Sequence, residues 1–109
     1  MSARRRAFHL SLKAIRDVDN LLLYTRRTWG KTQQSTYPTY RAVIYQALDM
    51  LSRHPQAGRP RDDLFPGCRS IQVEQHVIYF HQPRADEIEV LRILHHRQDA
   101  NAAVQEPRS

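Results

Sequence analysis

A short segment near the C-terminal end of the chain concentrates side chains that could perform acid–base chemistry on a phosphate. It contains Arg92, His95 and Arg97, and Tyr79 lies on a second apolar segment nearby in the sequence. A metal-independent ribonuclease needs a base for the ribose 2′-hydroxyl, an acid for the leaving oxygen and cations for the charge on the phosphorane. A ribonuclease with His95, Arg92 and Arg97 as catalytic residues is therefore one interpretation. Tyr79 is better explained as a core residue, because it stands in a dense apolar run.

The arginines also fit a surface that binds a partner. The chain has 17 Lys and Arg against 11 Asp and Glu, a net charge of +6, which attracts nucleic acid, a nucleoprotein or an acidic protein. Guanidinium groups suit fixed, bidentate contacts with carboxylate or phosphate. We predict a basic patch of Arg59, Arg69, Arg92 and Arg97, with His95 beside it. The alternative for Arg59 and Arg69 is that they only tie down the loop that contains them.

The histidines and the cysteine do not predict a metal site or a cofactor site. His95 and His96 are adjacent, so on a strand they should point to opposite faces. His76 and His81 are five residues apart and should also face apart. A single cysteine, Cys68, allows no internal disulfide. Three glycines provide no glycine-rich phosphate loop.

The length and composition indicate one globular domain. The chain has 109 residues, of which 40% are hydrophobic and 26% charged, values that are ordinary for a single domain with one core. The first ten residues carry three arginines but no apolar stretch after them, so we expect no signal peptide. No run of apolar residues reaches the roughly 18 needed for a membrane span. We expect a cytoplasmic protein, ordered over about residues 6–99, with a flexible C-terminal tail.

Two amphipathic helices are predicted in the first half. A short strand over residues 6–10 precedes Ser11, which is expected to be the N-cap of the first helix. The helix should bury an apolar stripe that consists of Ile15, Val18, Leu22, Thr25 and Trp29. Ala14 and Leu21 should widen this stripe. Gly30 is expected to end it. Trp29 is predicted to contact a partner, and the alternative is that it closes the core.

The second helix should bury another apolar stripe and pack against the first. Its apolar positions are Tyr40, Ile44, Ala47 and Leu51, flanked by Val43, Leu48 and Met50. Pro38 fits the first turn of the helix, and Pro55 is expected to end it at His54. The two helices should form an antiparallel hairpin.

The second half predicts a meander of three strands. Residues 55–67 hold most of the proline and glycine and should form a surface loop. Strands are predicted over 69–74, 76–81 and 88–95, the last with Ile88, Val90, Arg92 and Leu94 on one face. The fold class is therefore α+β, in the order β-α-α-β-β-β, with a helical hairpin packed on one face of a small antiparallel sheet.

Several fragments, taken in order, resemble a ParE-type toxin of the RelE/ParE superfamily. They are Tyr24-Thr25 with Trp29-Gly30 and Gln33, Gly58-Arg59 with Arg61-Asp62-Asp63-Leu64, Pro66-Gly67-Cys68-Arg69-Ser70, His76-Val77-Ile78-Tyr79-Phe80, and Arg92-Ile93-Leu94-His95 with Arg97 and Asp99. The resemblance covers roughly residues 8–100. The chain departs from the pattern at Gln98, where such toxins commonly carry methionine, and at residues 36–38, which look like a short insertion.

This resemblance implies a toxin of a type II toxin–antitoxin system with an operon partner, an antitoxin whose disordered acidic segment folds onto the toxin. ParE-like members are described as poisoning DNA gyrase, whereas RelE-like members cut mRNA on the ribosome. The few lysines and the lack of a tyrosine after Tyr79 favour the ParE branch, while His95 and His96 keep the ribonuclease alternative open. A third alternative is an inactive member that only forms a repressor complex with its antitoxin. We expect action by binding, within a hetero-oligomeric complex with a ParD-like antitoxin.

Overall fold

A computed structural model describes the backbone of residues 7–29 and 36–107 and the side chains of residues 7–21 and 40–107. The elements follow the predicted order, with three short additions. They are β1 (Ala7–Leu10), α1 (Leu12–Trp29), α2 (Thr36–Arg53), a 3-10 helix (Pro55–Ala57), β2 (Arg59–Pro60), β3 (Arg69–Val73), β4 (His76–Arg84), β5 (Glu87–His95) and α3 (Ala100–Ala103). The 3-10 helix and β2 lie in the segment that was predicted to be loop. The α+β class and the helical hairpin over the sheet are confirmed.

The sheet has the strand order β1-β5-β4-β3-β2. The meander of β3, β4 and β5 is antiparallel, as predicted. β1 instead runs parallel to β5, with Phe8 opposite Ile88 and Leu10 opposite Val90. The chain returns to its first strand only after both helices and three other strands, so the sequence pattern of β1 alone could not give its neighbour or direction.

The start of α1 agrees with the predicted cap. The Ser11 hydroxyl accepts a hydrogen bond from the Ala14 amide (3.0 Å) and donates one to the Leu91 carbonyl (2.9 Å). This side chain therefore caps the helix and also fixes it to β5.

The buried face of α1 differs from the predicted stripe. Ala14, Val18 and Leu21 are buried, whereas Ile15 is 47% exposed, so the prediction that Ile15 lies in the core is wrong. The helix is rotated so that Asp17 also faces inward, and this rotation turns Ile15 toward solvent. The side chains of Leu22 and Thr25, and the predicted end at Gly30, lie outside the described residues.

The second helix matches its prediction more closely. Tyr40, Ile44 and Leu51 are buried, and Leu48 rather than Ala47 completes the buried stripe. The helix starts at Thr36 with Pro38 in its first turn and ends at Arg53. Its end agrees with the predicted effect of the His54-Pro55 step.

A bulge in β5 changes which residues face the helices. Tyr79 of β4 lies opposite Arg92, but the next residue, Phe80, lies opposite Val90, so Leu91 is an extra residue in β5. Ile88 and Val90 pack in the core beneath the helices, and after the bulge Ile93 joins them. Leu94 packs on the opposite face. The predicted alternation through Arg92 and Leu94 is wrong beyond Val90, because a bulge shifts the period by one residue.

The sheet carries apolar clusters on both faces. The larger cluster lies between the sheet and the two helices and includes Ile44, Leu48 and Phe80. The smaller one lies on the other face and contains Phe65, Cys68, Tyr79, Leu91, Leu94 and Val104. The core position predicted for Tyr79 is thus confirmed, on the face away from the helices.

The C-terminal segment contributes to this second cluster. Asp99 caps α3 by accepting a hydrogen bond from the Asn101 amide (3.0 Å), and Val104 is buried. A helix of four residues has no apolar period, so the sequence did not predict it. The single-domain boundaries and the flexibility of the tail stay predictions. None of the described helices is long and apolar enough to cross a bilayer.

We expect Gly58→Ala to destabilise the fold by about 1–3 kcal/mol. A β-carbon at this position would lie 2.5 and 2.7 Å from two ring atoms of Phe80, a ring that is fully buried. Thermal or urea unfolding of the variant measures the loss. The double variant Gly58→Ala/Phe80→Leu tests the cause, because a smaller side chain relieves the clash. The double variant should lose less stability than the sum of the two single variants, and simple additivity would contradict this explanation.

Candidate functional site

Arg92 is held by an ion pair with Asp17 of α1. Its Nε and one terminal nitrogen donate to the two Asp17 oxygens at 2.7 and 2.9 Å, and its other terminal nitrogen donates to the Ala103 carbonyl at 3.2 Å. The Ile93 amide donates to the same carboxylate at 2.9 Å. The Asp17 side chain is only 8% exposed, and its hydrogen bonds raise the pKa of Arg92 above the ordinary arginine value. The pair therefore fixes α1, β5 and α3 to one another.

Three histidines meet at the end of the sheet next to this pair. The His76 and His95 rings are 5.5 Å apart between centroids, and the His95 and His96 rings are 4.4 Å apart. The prediction that His95 and His96 point to opposite faces is wrong. The strand ends at His95, and the His96 amide donates to the Gln75 carbonyl in the turn before β4 (2.9 Å), so strand alternation no longer applies.

Tyr40 of α2 completes this cluster. Its hydroxyl is hydrogen-bonded to Nδ1 of His76 at 2.5 Å and accepts a bond from the Gln75 amide at 3.3 Å. Both side chains are buried. The second helix is thereby tied to the turn between β3 and β4.

Burial lowers the pKa of two of the three histidines. Burial, followed by the nearby His95, lowers the pKa of His76 from 6.5 to about 4. Burial, followed by His96 and Arg97, also lowers the pKa of His95 below its usual value. General acid–base catalysis near neutral pH needs one group that is protonated and another that is not. Both shifts favour the neutral form of the imidazole, which does not favour such a pair.

A small pocket of about 150 Å³ brings the ion pair and the histidines together. Its lining includes Asp17, Asn20, His76, Arg92, His95 and Gln98. The structure thus places two of the predicted catalytic residues, Arg92 and His95, at one pocket. Arg97 is next to them along the chain, and its amide contacts Nδ1 of His95 at 3.3 Å. The guanidinium of Arg92 already binds Asp17.

Two of the other predicted arginines, Arg59 and Arg69, lie on β2 and β3 at the other edge of the sheet. Arg59 is exposed on β2 and lies opposite Ser70. Arg69 donates to the Gly58 carbonyl at 2.6 Å, which ties down the loop as the alternative interpretation proposed. Arg97 follows the far end of β5. The predicted basic patch of Arg59, Arg69, Arg92 and Arg97 stays a prediction.

A second basic site, which the sequence analysis missed, forms around Arg61. Its guanidinium donates two hydrogen bonds to Asp63, both at 3.0 Å, and lies 5.7 Å from the centre of the Tyr79 ring. Arg61 was predicted only as part of a family motif, because the sequence gives no sign that it lies against the Tyr79 ring of β4. Asp17, Tyr40 and His76 were not predicted as site residues either, because their partners lie on other elements that are distant in the sequence. Trp29 ends α1, and its side chain lies outside the described residues, so its predicted contact stays a prediction.

Comparison with known proteins points to one family. The sequence profile described as "ParE toxin of type II toxin-antitoxin system, parDE" matches residues 8–100. The chain is 34% identical over 94 residues to "Toxin ParE" of Escherichia coli, covering 85% of this chain and 87% of that protein. It is 27% identical over 95 residues to "Toxin ParE1" of Caulobacter vibrioides, covering 87% of this chain and 94% of that protein. A solved chain of the "Chromosomal ParDE TA system from P. aeruginosa" has the same fold, with a TM-score of 0.66, 20% identity, and coverage of 84% of this chain and 95% of that one.

Proposed function

Because the chain belongs to the ParE toxin family of type II toxin–antitoxin systems, we propose that it inhibits DNA gyrase by binding and performs no chemistry of its own. The observation that carries this proposal is the state of the pocket at the end of the sheet. His76 and His95 have lowered pKa values, and Arg92 is occupied by Asp17. The lowered pKa values disfavour an imidazolium acid, and the Asp17 carboxylate competes with a phosphate for Arg92, which favours binding over hydrolysis.

We propose further that a ParD-like antitoxin neutralises the chain through an acidic segment, in a hetero-oligomeric complex in the cytoplasm. The net charge of +6 favours rapid encounter with an acidic partner. A disordered segment can fold over a large part of a small toxin, and it loses conformational entropy as it does so. Of the predicted contacts whose side chains the structure describes, Arg59 and Arg97 are exposed.

A gyrase supercoiling reaction with the purified chain tests the proposed target. We expect inhibition of supercoiling and, after denaturation of the enzyme, accumulation of linear DNA from the trapped cleavage complex. The heat-denatured chain is the control, because a toxin that acts by binding must be folded to inhibit gyrase. Undiminished supercoiling at a molar excess of folded toxin would refute gyrase as the target.

A RelE-like mRNA endonuclease is the second candidate, and the shared pocket of Arg92 and His95 is the observation in its favour. Such an activity would cut mRNA in a translation extract, and His95→Ala would abolish the cutting. The proposed function expects the extract to continue translating. A family member that only forms a repressor complex with its antitoxin would inhibit neither gyrase supercoiling nor translation in the extract. It would also be harmless when expressed alone.

A further inference from the structure

The first strand leaves one edge of the sheet open. β1 comes first in the strand order β1-β5-β4-β3-β2, so within the described residues only β5 pairs with it. The amides of Ala7 and Ser11 donate to carbonyls on the β5 side, at 3.0 and 2.9 Å. Successive residues of a strand alternate in direction, so Phe8 and Leu10 point their amide and carbonyl groups away from β5. Backbone groups at such an edge can pair with another strand.

Two exposed apolar side chains lie directly after this strand. Leu12 is 76% exposed and Ile15 is 47% exposed, and they are the exposed large apolar side chains of the part of the chain that the structure describes. Asp17 of the same helix accepts a hydrogen bond from the Ile93 amide of β5, so its face of α1 is turned toward the sheet. With 3.6 residues per turn, Leu12 and Ile15 lie on roughly the opposite side of the helix, which is the side of the open edge.

Charges of opposite sign flank the two ends of β1. Lys13 and Arg16 are exposed in the first turns of α1, just after the C-terminal end of the strand. Glu87 lies opposite Ala7 at the N-terminal end of the strand, and Asp86 precedes it. Antiparallel pairing places the N-terminal end of one strand beside the C-terminal end of the other. The surface is therefore complementary to itself in charge, as a two-fold dimer requires.

We propose that two copies of this chain form a dimer by antiparallel pairing of β1 with β1, around a two-fold axis at His9. Phe8 of each copy pairs with Leu10 of the other, and each such pair exchanges two backbone hydrogen bonds. The basic start of α1 in one copy approaches the acidic start of β5 in the other. A specific interface buries at least about 1,000 Å², which a strand of four residues does not provide alone, so Leu12 and Ile15 are covered as well.

Sedimentation velocity of the full chain over a concentration series tests the dimer. We expect a concentration-dependent dimer whose dissociation constant rises at least about tenfold in Leu12→Glu, because a carboxylate buried without a partner opposes association. Gln72→Glu is the matched control, since it adds the same charge at an exposed position of β3, near the other edge of the sheet, and should leave the constant unchanged. A chain that stays monomeric at every concentration, or equal losses in the two variants, would overturn the proposal.

A cysteine on the two-fold axis tests the register. Facing residues of a non-hydrogen-bonded pair have Cα atoms about 4.5 Å apart, which is within the range of a disulfide. His9→Cys should therefore form a disulfide-linked dimer under mild oxidation. Ala7→Cys is the control, because the two copies of this residue would lie more than about 13 Å apart. Cys68 is buried and stays in both variants. Equal cross-linking of the two variants, or none in His9→Cys, would refute this pairing.

The dimer goes beyond the proposed function and does not depend on it, because neither measurement uses gyrase or an antitoxin. A monomeric chain that inhibits supercoiling would refute only the dimer. A dimer that leaves gyrase active would refute only the proposed function.

Discussion

Replacing Asp17 with alanine is expected to destabilise the protein by about 3–5 kcal/mol, as is typical when one partner of a buried ion pair is removed. The change leaves the partly buried Arg92 guanidinium without its counter-ion and the buried Ile93 amide without its acceptor. For a domain of this size the melting temperature should fall by more than about 10 °C. Differential scanning calorimetry or urea unfolding measures the effect.

The chain offers a matched control in its other bidentate Arg–Asp pair. Asp63→Ala removes a carboxylate that also accepts two hydrogen bonds from one arginine, but this carboxylate is exposed. Exposed ion pairs contribute little to stability because water and salt screen them. The melting temperature of Asp63→Ala should therefore stay close to that of the parent chain. Similar losses for the two variants would show that burial does not determine the strength of the Asp17 pair.

Acidification from pH 7.5 to pH 5 is expected to remove about 2 kcal/mol of stability through His76 alone. The pKa of His76 is about 4 in the folded chain and 6.5 as the ordinary value, so the unfolded chain binds the proton first as the pH falls. Stability is therefore complete above pH 6.5 and decreases as the pH approaches 4. The lowered pKa of His95 acts in the same direction.

Thermal melts across this pH range measure the effect, and His76→Gln should flatten the dependence. Glutamine keeps a hydrogen-bonding group near the Tyr40 hydroxyl but cannot take up a proton. His54→Gln is the control, since His54 is exposed and its removal should leave the slope unchanged. A His76→Gln variant with the slope of the parent chain would contradict the assignment to His76.

The sequence predicted elements well where their apolar period is uninterrupted. The second helix follows a period of 3.6 residues and β3 a period of 2, and β4 was predicted from its dense apolar run. The residues predicted to be buried in these elements largely agree with the structure. Prediction failed in β5, where one inserted residue reverses the alternation after Val90. It also failed in α1, where the inward-facing position is the charged residue Asp17 and not Ile15. No local period can anticipate a buried charge, because its partner, Arg92, is 75 residues away.

The site was less predictable than the fold for the same reason. Arg92 and His95 were correctly grouped by their closeness in the sequence. Their neighbours Tyr40 and His76 come from α2 and β4, and only the packed structure brings them together. Side-chain type gives no information about which edge of a sheet a residue occupies, so the surface shared by the four predicted arginines stays a prediction.

The pairing of β1 with β5 has a consequence for how the chain folds during synthesis. The strand β1 pairs with residues that follow it by some 80 positions in the chain, and the Ser11 hydroxyl likewise donates to the Leu91 carbonyl. Contacts between such distant residues close large loops and form slowly. The helical hairpin can form early on the ribosome, but its apolar underside stays uncovered until the last strand has emerged. A partner that binds exposed apolar surface thus has an opportunity to act on this chain before its native sheet exists.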